Sequence, residues 1–366
     1  MYLGAPITKK KEEKKEDDSN SNSNSTETTD NKTKAKKISE YKLPRDIGSG
    51  LLKFCLTHSD SPNLQDTVLP VDRDPKDYEW LRQAFDNLED DAKRMKKILD
   101  LIQEEKTTNS MVISSLQQLE FYIEDLDNAG DLIKLGGIPI LVNLLESEES
   151  GIRAESATCL AIVAQSEPTI QQYYDSIGVL DKCINMLSKE TVSICREKYL
   201  SLISSIFGYD NRANMDSHKL EIIVKLATTF LSPQVDLFLT DSSTPVVVDN
   251  SVAGITKACF FLTKLFIAFP PLVGKSLEYG IVEGFINLIS AFNQQKEHSH
   301  AQIIMVEKAE LGLYQLLASK DQNIIQYCKD SNCKSLINQR LSLLNKDKEQ
   351  YQVEIDNLDN ILKMIK

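Results

Sequence analysis

The sequence lacks the residue patterns that common enzyme classes require. It has only four histidines, and none lies in an H-E-x-x-H motif or beside cysteines at zinc-binding spacing. It also contains no G-x-x-x-x-G-K-[ST], G-x-G-x-x-G or G-x-S-x-G motif, so neither a phosphate-binding loop nor a hydrolase nucleophile elbow is indicated. We therefore expect a protein that is not an enzyme and that needs no cofactor or metal.

Basic charge and long apolar runs are also scarce. The chain carries 42 Lys and Arg against 54 Asp and Glu, a net charge of −12, which argues against nonspecific binding to nucleic acid. No apolar run approaches the roughly 20 residues of a membrane span, and the first residues lack the apolar core of a secretory signal. The seven cysteines are odd in number and scattered among apolar residues, as small core residues of a reducing compartment are. These features predict a cytoplasmic protein with no membrane partner.

The first 77 residues are predicted to form no folded domain. Residues 1–45 are polar and highly charged, with the run SNSNSTETT, and cannot offset the entropy of ordering, so we expect a disordered tail. Residues 46–60 form a short apolar motif, which is either a docking helix or a binding segment. Residues 61–77 contain three prolines and read as a linker.

From residue 78 onward the apolar residues recur at helical spacing nearly everywhere, and strand-like alternation is confined to residues 244–249. This pattern predicts an all-α protein. We assign residues 78–107 to an N-terminal helical cap, residues 108–345 to repeats, and residues 346–366 to a C-terminal capping helix.

Four related segments indicate the repeats. LGGIPILVNLL, SIGVLDKCINML, SHKLEIIVKLA and EYGIVEGFINLI each place a turn before an apolar helix, and a longer apolar helix follows each one. The turns recur at intervals of about 40 residues, with an insert near 232–250 lengthening the third interval, and this period is typical of armadillo or HEAT repeats. Glycines at Gly130 and Gly136-Gly137 predict breaks, the second being the corner between two helices of one repeat. The fold predicted is an armadillo-repeat right-handed solenoid whose last helix in each repeat lines the concave side.

Several segments resemble one family. LDNAGDL (126–132), IRAESA (152–157), EWLRQAFDNLEDDAKRMKKI (79–98) and GLLKFCLTHSD (50–60) occur in the order seen in the armadillo-type nucleotide exchange factors of heat shock protein 70. The likeness is to the cytosolic branch of this Fes/Sil, Hsp-binding-protein group. It covers residues 49 to about 366, with the insert near 232–250 and the tail as departures.

The resemblance implies a co-chaperone that clasps lobe II of the ATPase domain of heat shock protein 70 on its concave face and promotes ADP release. It also implies a monomer with a second contact to the chaperone's peptide-binding domain through a client-release motif, Leu51, Leu52 and Phe54. The residues that it assigns to partner binding are Asn128, Ala129, Arg153, Glu155, Lys257, Phe260, Phe261 and Lys264. The last four are spaced by 3, 4 and 7 residues, which places them near one helix face.

Plainer interpretations stand beside these assignments. Ala129 could instead be a packed turn residue, and Lys257 an ordinary surface lysine. Arg153 and Glu155 could each form a local ion pair. The 46–60 motif could be a cap on the first helices. An alternative function is an armadillo adaptor that holds an extended peptide. Such adaptors carry a concave ladder of Trp and Asn, whereas the only tryptophan here, Trp80, precedes the repeats.

Overall fold

The structure is a computed structural model of the 366-residue chain, and it describes residues 90–165, 168–207, 216–237, 244–345 and 349–366. The chain divides into two units, Met1–Asp86 and Asn87–Lys366, and every described residue lies in the second. The predictions for the tail, the 46–60 motif, the linker and the first part of the helical cap therefore lie outside the described residues.

The described residues are helical apart from one short pair of strands, which confirms the all-α class. The helices are α1 (Asp91–Gln103), α2 (Asn109–Ile123), α3 (Leu126–Lys134), α4 (Gly137–Leu144), α5 (Ser150–Ala164), α6 (Pro168–Ser176), α7 (Val179–Lys189), α8 (Ser193–Ile206), α9 (Ser217–Thr228), α10 (Val252–Ala268), α11 (Ile281–Gln294), α12 (His300–Ala318), α13 (Gln322–Asp330), α14 (Cys333–Leu344) and α15 (Gln352–Met364). A 3-10 helix, Pro270–Lys275, precedes α11.

Left-handed glycines mark the corners of the repeats. Gly136, Gly178 and Gly280 have φ angles of 73°, 70° and 70°, and each lies immediately before the second helix of its repeat. Residues with a Cβ rarely adopt this conformation, so glycine is the residue that turns the chain here. The corresponding helix of the third repeat, α9, begins instead after Asp216, whose carboxylate accepts hydrogen bonds from two backbone N–H groups.

The predicted break at Gly130 is wrong. Gly130 lies inside α3, a nine-residue helix that begins after Asp125 and ends before Gly136. Asp125 accepts a hydrogen bond from the N–H of Asp127, so the helix is capped five residues before the glycine. The cap and the apolar residues Ala129 and Leu132 keep the helix continuous, and its C-terminal end is set by Gly136 alone.

One long helix from each repeat stacks on its counterpart in the next repeat, and these helices form a row. We call α2, α5, α8, α10, α12 and α15 the third-helix row, because each of the last five is the third or closing element of its repeat and packs on the preceding member. Their inward sides join one continuous apolar core from Met95 to Ile365. The six described cysteines, Cys159, Cys183, Cys195, Cys259, Cys328 and Cys333, are buried and unpaired in it. No described helix combines the length and the apolar character needed to cross a membrane.

The insert near 232–250 contains the two strands. β1 (Gln234–Leu237) and β2 (Val246–Asp249) pair antiparallel, with Val235 opposite Val248. The hairpin is fixed at its base by Asn250, whose side-chain amide donates 2.8 Å hydrogen bonds to the carbonyls of Thr229 and Ser232. The third repeat therefore has a β-hairpin between its last two helices.

A buried ion cluster joins α12, α14 and α15. Arg340 in α14 donates to Glu310 of α12 at 2.9 Å and to Glu354 of α15, and its guanidinium lies 4.7 Å from the ring centroid of Phe292. All three charged side chains are buried. One guanidinium cannot balance two buried carboxylates. Burial raises the pKa of Glu310 well above its ordinary value. The nearby Glu354 raises this pKa further, whereas Arg340 lowers it.

We expect Glu310→Gln to flatten the dependence of stability on pH. In the folded protein Glu310 keeps its proton above the ordinary carboxyl pKa, so its contribution to stability is present at low pH and is lost as the pH rises toward the folded pKa. Glutamine has nearly the same shape and stays neutral at every pH. Urea unfolding at pH 5, 6.5 and 8 should show the wild type losing stability relative to Glu310→Gln as the pH rises. Parallel pH profiles would contradict a protonated Glu310.

Candidate partner-binding face

Lys257 is held in a defined position between two helices of the third-helix row. Its Nζ lies 3.1 Å from Ser201 Oγ and 3.4 Å from Glu197 Oε1, both on α8. The second oxygen of Glu197 accepts a 2.7 Å hydrogen bond from Ser251, the residue that caps α10. The Lys257 side chain remains 36% exposed. It is therefore oriented by the fold and still accessible at the surface.

Phe260 and Lys264 extend the same exposed strip along α10. The Nζ of Lys264 lies 5.4 Å from the centroid of the Phe260 ring, within the range of a cation–π interaction, and both side chains are exposed. Three of the four residues predicted to share this face thus lie together on it.

The prediction that Phe261 belongs to this face is wrong. Its ring is buried and meets Phe207 edge to face at 5.5 Å between centroids. It lies on the same side of α10 as Ala258, Leu262 and Leu265, all buried. Residues 257 and 261 are one turn apart, but the boundary between the core and the surface runs between them, and the spacing alone does not locate that boundary.

An acidic group lies farther along the third-helix row, toward the N-terminus. Glu155 of α5 accepts a 2.9 Å hydrogen bond from Gln117 of α2. Burial and the nearby Glu155 and Glu124 raise the pKa of Glu120, while Lys198 of α8 opposes them. The exposed side of the row is therefore acidic at α2 and α5 and basic at α10. Of these residues only Glu155 was predicted. Gln117, Glu120, Lys198 and Glu197 went unrecognised, and their polar positions within apolar helices were the available clue.

Arg153 performs a structural role rather than the predicted partner contact. Its Nε and one terminal nitrogen donate to both carboxylate oxygens of Glu190, at 2.8 and 3.1 Å, and its other terminal nitrogen donates to the carbonyls of Ser147 and Glu148 at 2.9 Å. Both charged side chains are nearly buried. The pair joins the first repeat to the second, and four of the five guanidinium N–H groups donate to groups within the chain.

The polar contacts continue from Glu190 into the third repeat through Arg196. This buried arginine donates to the Glu190 carbonyl at 3.2 Å and to Thr229 Oγ1 at 2.9 Å, and it packs on the ring of Phe230. Burial lowers the pKa of Arg196 to about 10, although Glu190 acts in the opposite direction. Arg153, Glu190 and Arg196 together hold the starts of α5, α8 and α10 in register.

The LDNA segment is also structural at its two predicted residues. Ala129 is fully buried on the core side of α3, so the predicted direct contact through Ala129 is wrong. Asn128 donates a 2.9 Å hydrogen bond from Nδ2 to the carbonyl of Tyr122, which fixes the turn between α2 and α3. Leu51, Leu52 and Phe54 lie outside the described residues. Among the residues that the structure describes, no cluster of three potential metal ligands occurs.

Two family models match this chain over adjoining ranges. Nucleotide exchange factor Fes1 matches residues 8–132, and the SIL1/FES1/HPBP1 C-terminal domain matches residues 128–228. The two ranges together cover more than half of the chain.

Comparison with individual proteins points to the same family. The chain is 28% identical over 201 residues to Nucleotide exchange factor SIL1 of Xenopus laevis, covering 52% of this chain but only 44% of that protein. It is 23% identical to Hsp70-binding protein 1 of Rattus norvegicus, covering 88% of this chain and 86% of that one. A designed armadillo repeat protein superposes with a TM-score of 0.54 at 14% identity, covering 74% of this chain and all of that one, which confirms the armadillo fold. The chain belongs to the SIL1/FES1/HPBP1 family.

Proposed function

We propose that this chain is a nucleotide exchange factor for a chaperone of the Hsp70 class, and that its third-helix row binds lobe II of the chaperone's ATPase domain. The observation that carries the proposal is the strip of Lys257, Phe260 and Lys264 on α10, oriented from α8 and exposed, in a chain of this family. An aromatic ring between two cations suits a partner surface that offers carboxylates around an apolar contact.

The mechanism requires no bond to be made or broken in the exchange factor, so the proposed activity is not enzymatic. A ligand shifts a conformational equilibrium only through its difference in affinity for the two states. To convert a mostly closed ATPase domain into a mostly open one, the third-helix row has to bind the open form about 10⁴-fold more tightly. We assign this task to a monomer in the cytoplasm, with Leu51, Leu52 and Phe54 as the client-release motif.

Calorimetric titration of the isolated ATPase domain tests this difference in affinity. Binding to the nucleotide-free domain should be tighter than binding to the ADP-loaded domain by orders of magnitude, approaching the roughly 10⁴-fold difference that full opening requires. Equal affinities would refute exchange activity by this mechanism. Tight binding of extended peptides with no binding of the ATPase domain would favour the peptide-adaptor alternative.

Replacing Lys257 should weaken the proposed interface, and the unfolding temperature of each variant serves as the check on the fold, because Lys257 also pairs with Glu197. Lys257→Ala removes an exposed cation, and we expect ADP-release activity to fall about fivefold. Lys257→Glu should reduce it further and reverse its salt dependence, because charged contacts at a rim act mainly on association. Lys225→Ala on α9, outside the third-helix row, is the matched control. Unchanged exchange rates in both Lys257 variants would remove this residue from the interface.

A further inference from the structure

The turn between α2 and α3 is rigidly built but exposes large apolar side chains. The carbonyl of Tyr122 accepts hydrogen bonds from the Asp125 N–H at 3.3 Å and from Asn128 Nδ2 at 2.9 Å, and Asp125 caps α3. These contacts fix the backbone on both sides of the turn. The direction in which its outward side chains point is therefore set by the fold.

Two of those outward side chains are apolar and largely exposed to solvent. Phe121 is 73% exposed and Leu126 is 66% exposed, whereas the adjacent Leu119 and Ile123 are fully buried. Phe121 has an edge-to-face contact with Tyr122, at 5.5 Å between the ring centroids. Fully covering a phenylalanine or leucine side chain is worth about 1.5–3 kcal/mol each, so this pair offers substantial binding free energy to a partner.

Three carboxylates lie within a few residues of the apolar pair. Glu124 and Asp127 are exposed close to Leu126 in the chain, and the half-buried Glu120 directly precedes Phe121. These groups are close enough for Glu124 to contribute to the raised pKa of Glu120. The lysine of α3, Lys134, is paired with Asp131 at 2.7 Å at the far end of that helix. The turn is therefore an apolar contact with an acidic rim.

The turn is continuous with the proposed binding face. Gln117 and Glu120 lie on the same helix as Phe121, and Gln117 is hydrogen-bonded to Glu155 of the next member of the third-helix row. A partner that covers α5 to α10 needs only to extend one helix farther to reach Phe121.

We infer that Phe121 and Leu126, with Glu120, Glu124 and Asp127 around them, form a second anchor for the chaperone, which takes a segment of its ATPase domain carrying basic side chains around an apolar one. The inference rests on the proposed function and deepens it. Charge complementarity identifies the occupant, since an acidic rim repels another acidic surface and attracts a basic one. The exchange factor then holds its partner at two separated points, the basic strip on α10 and the acidic turn.

Two variants of the full chain test the anchor. Phe121→Ser with Leu126→Ser should weaken binding of the ATPase domain at least tenfold in calorimetry and leave the unfolding temperature unchanged, because both side chains are exposed. Glu124→Lys should slow association in low salt, with the difference fading at high salt as charges are screened. Val247→Ser on β2, outside the third-helix row and at a side chain 62% exposed, is the control for loss of an apolar surface group and should bind like the wild type.

The outcomes separate the anchor from the exchange function. If the double variant and Glu124→Lys bind like the wild type, while the wild type accelerates ADP release and the Lys257 variants are impaired, the anchor is overturned and the exchange function stands. If the wild type itself fails to bind the ATPase domain, both fail. A lowered unfolding temperature in the double variant, with normal association of Glu124→Lys, would assign the pair to packing and also overturn the anchor.

Discussion

Ala129→Arg is expected to destabilise the repeat unit by about 3 kcal/mol or more, because it places a long charged side chain where the native methyl group is fully buried. A loss of that size is a large part of the stability of a typical domain. The measurement is urea unfolding followed by circular dichroism at 222 nm. Any loss of chaperone binding in this variant would follow from unfolding and not from a lost contact.

The neighbouring residue gives a matched control. An added Cβ at Gly130 would meet nothing within 4 Å, and Gly130 lies in the same helix. Gly130→Arg introduces the same side chain one position away, and it should be neutral or slightly stabilising, since glycine costs about 1 kcal/mol within a helix. If Ala129→Arg were as stable as Gly130→Arg, the buried position of Ala129 would be wrong.

Arg340→Met is the second change expected to have a large effect. It removes the one cation between Glu310 and Glu354, and breaking a buried pair by deleting one partner typically costs about 3–5 kcal/mol. The deficit should grow as the pH rises, because a carboxylate without its cation is disfavoured in the core and its protonated form is not. Thermal unfolding at pH 5 and pH 8 measures both the loss and its direction.

A triple variant separates charge from packing in this cluster. Arg340→Met combined with Glu310→Met and Glu354→Met leaves no charge in this cluster, and replacing a whole buried ion cluster with hydrophobic side chains of similar volume is often nearly neutral. We expect it to recover most of the stability lost in Arg340→Met. A triple variant as unstable as the single one would show that the arginine acts through its packing on Phe292.

The repeat architecture could be predicted because it depends on local features. Apolar spacing and the glycines before α4, α7 and α11 are visible in the sequence, since a left-handed corner strongly favours glycine. The helical period likewise placed Lys257, Phe260 and Lys264 on one side of α10.

The errors lie where a distant residue decides the outcome. Arg153 is occupied by Glu190, 37 positions away, and nothing in the sequence near Arg153 indicates that partner. Phe261 and Ala129 are close in sequence to surface residues, and only the packing of neighbouring helices shows that they face the core. The hairpin in the third repeat was apparent only as a short alternating stretch, because four-residue strands carry little pattern.

The measurement that most directly tests the central claim is stopped-flow release of a fluorescent ADP analogue from an Hsp70-class chaperone. At micromolar concentration the wild-type chain should accelerate release by at least tenfold, Lys225→Ala should match it, and Lys257→Glu should fall well below it. Release at the uncatalysed rate in the presence of folded wild-type protein would contradict the proposed exchange function.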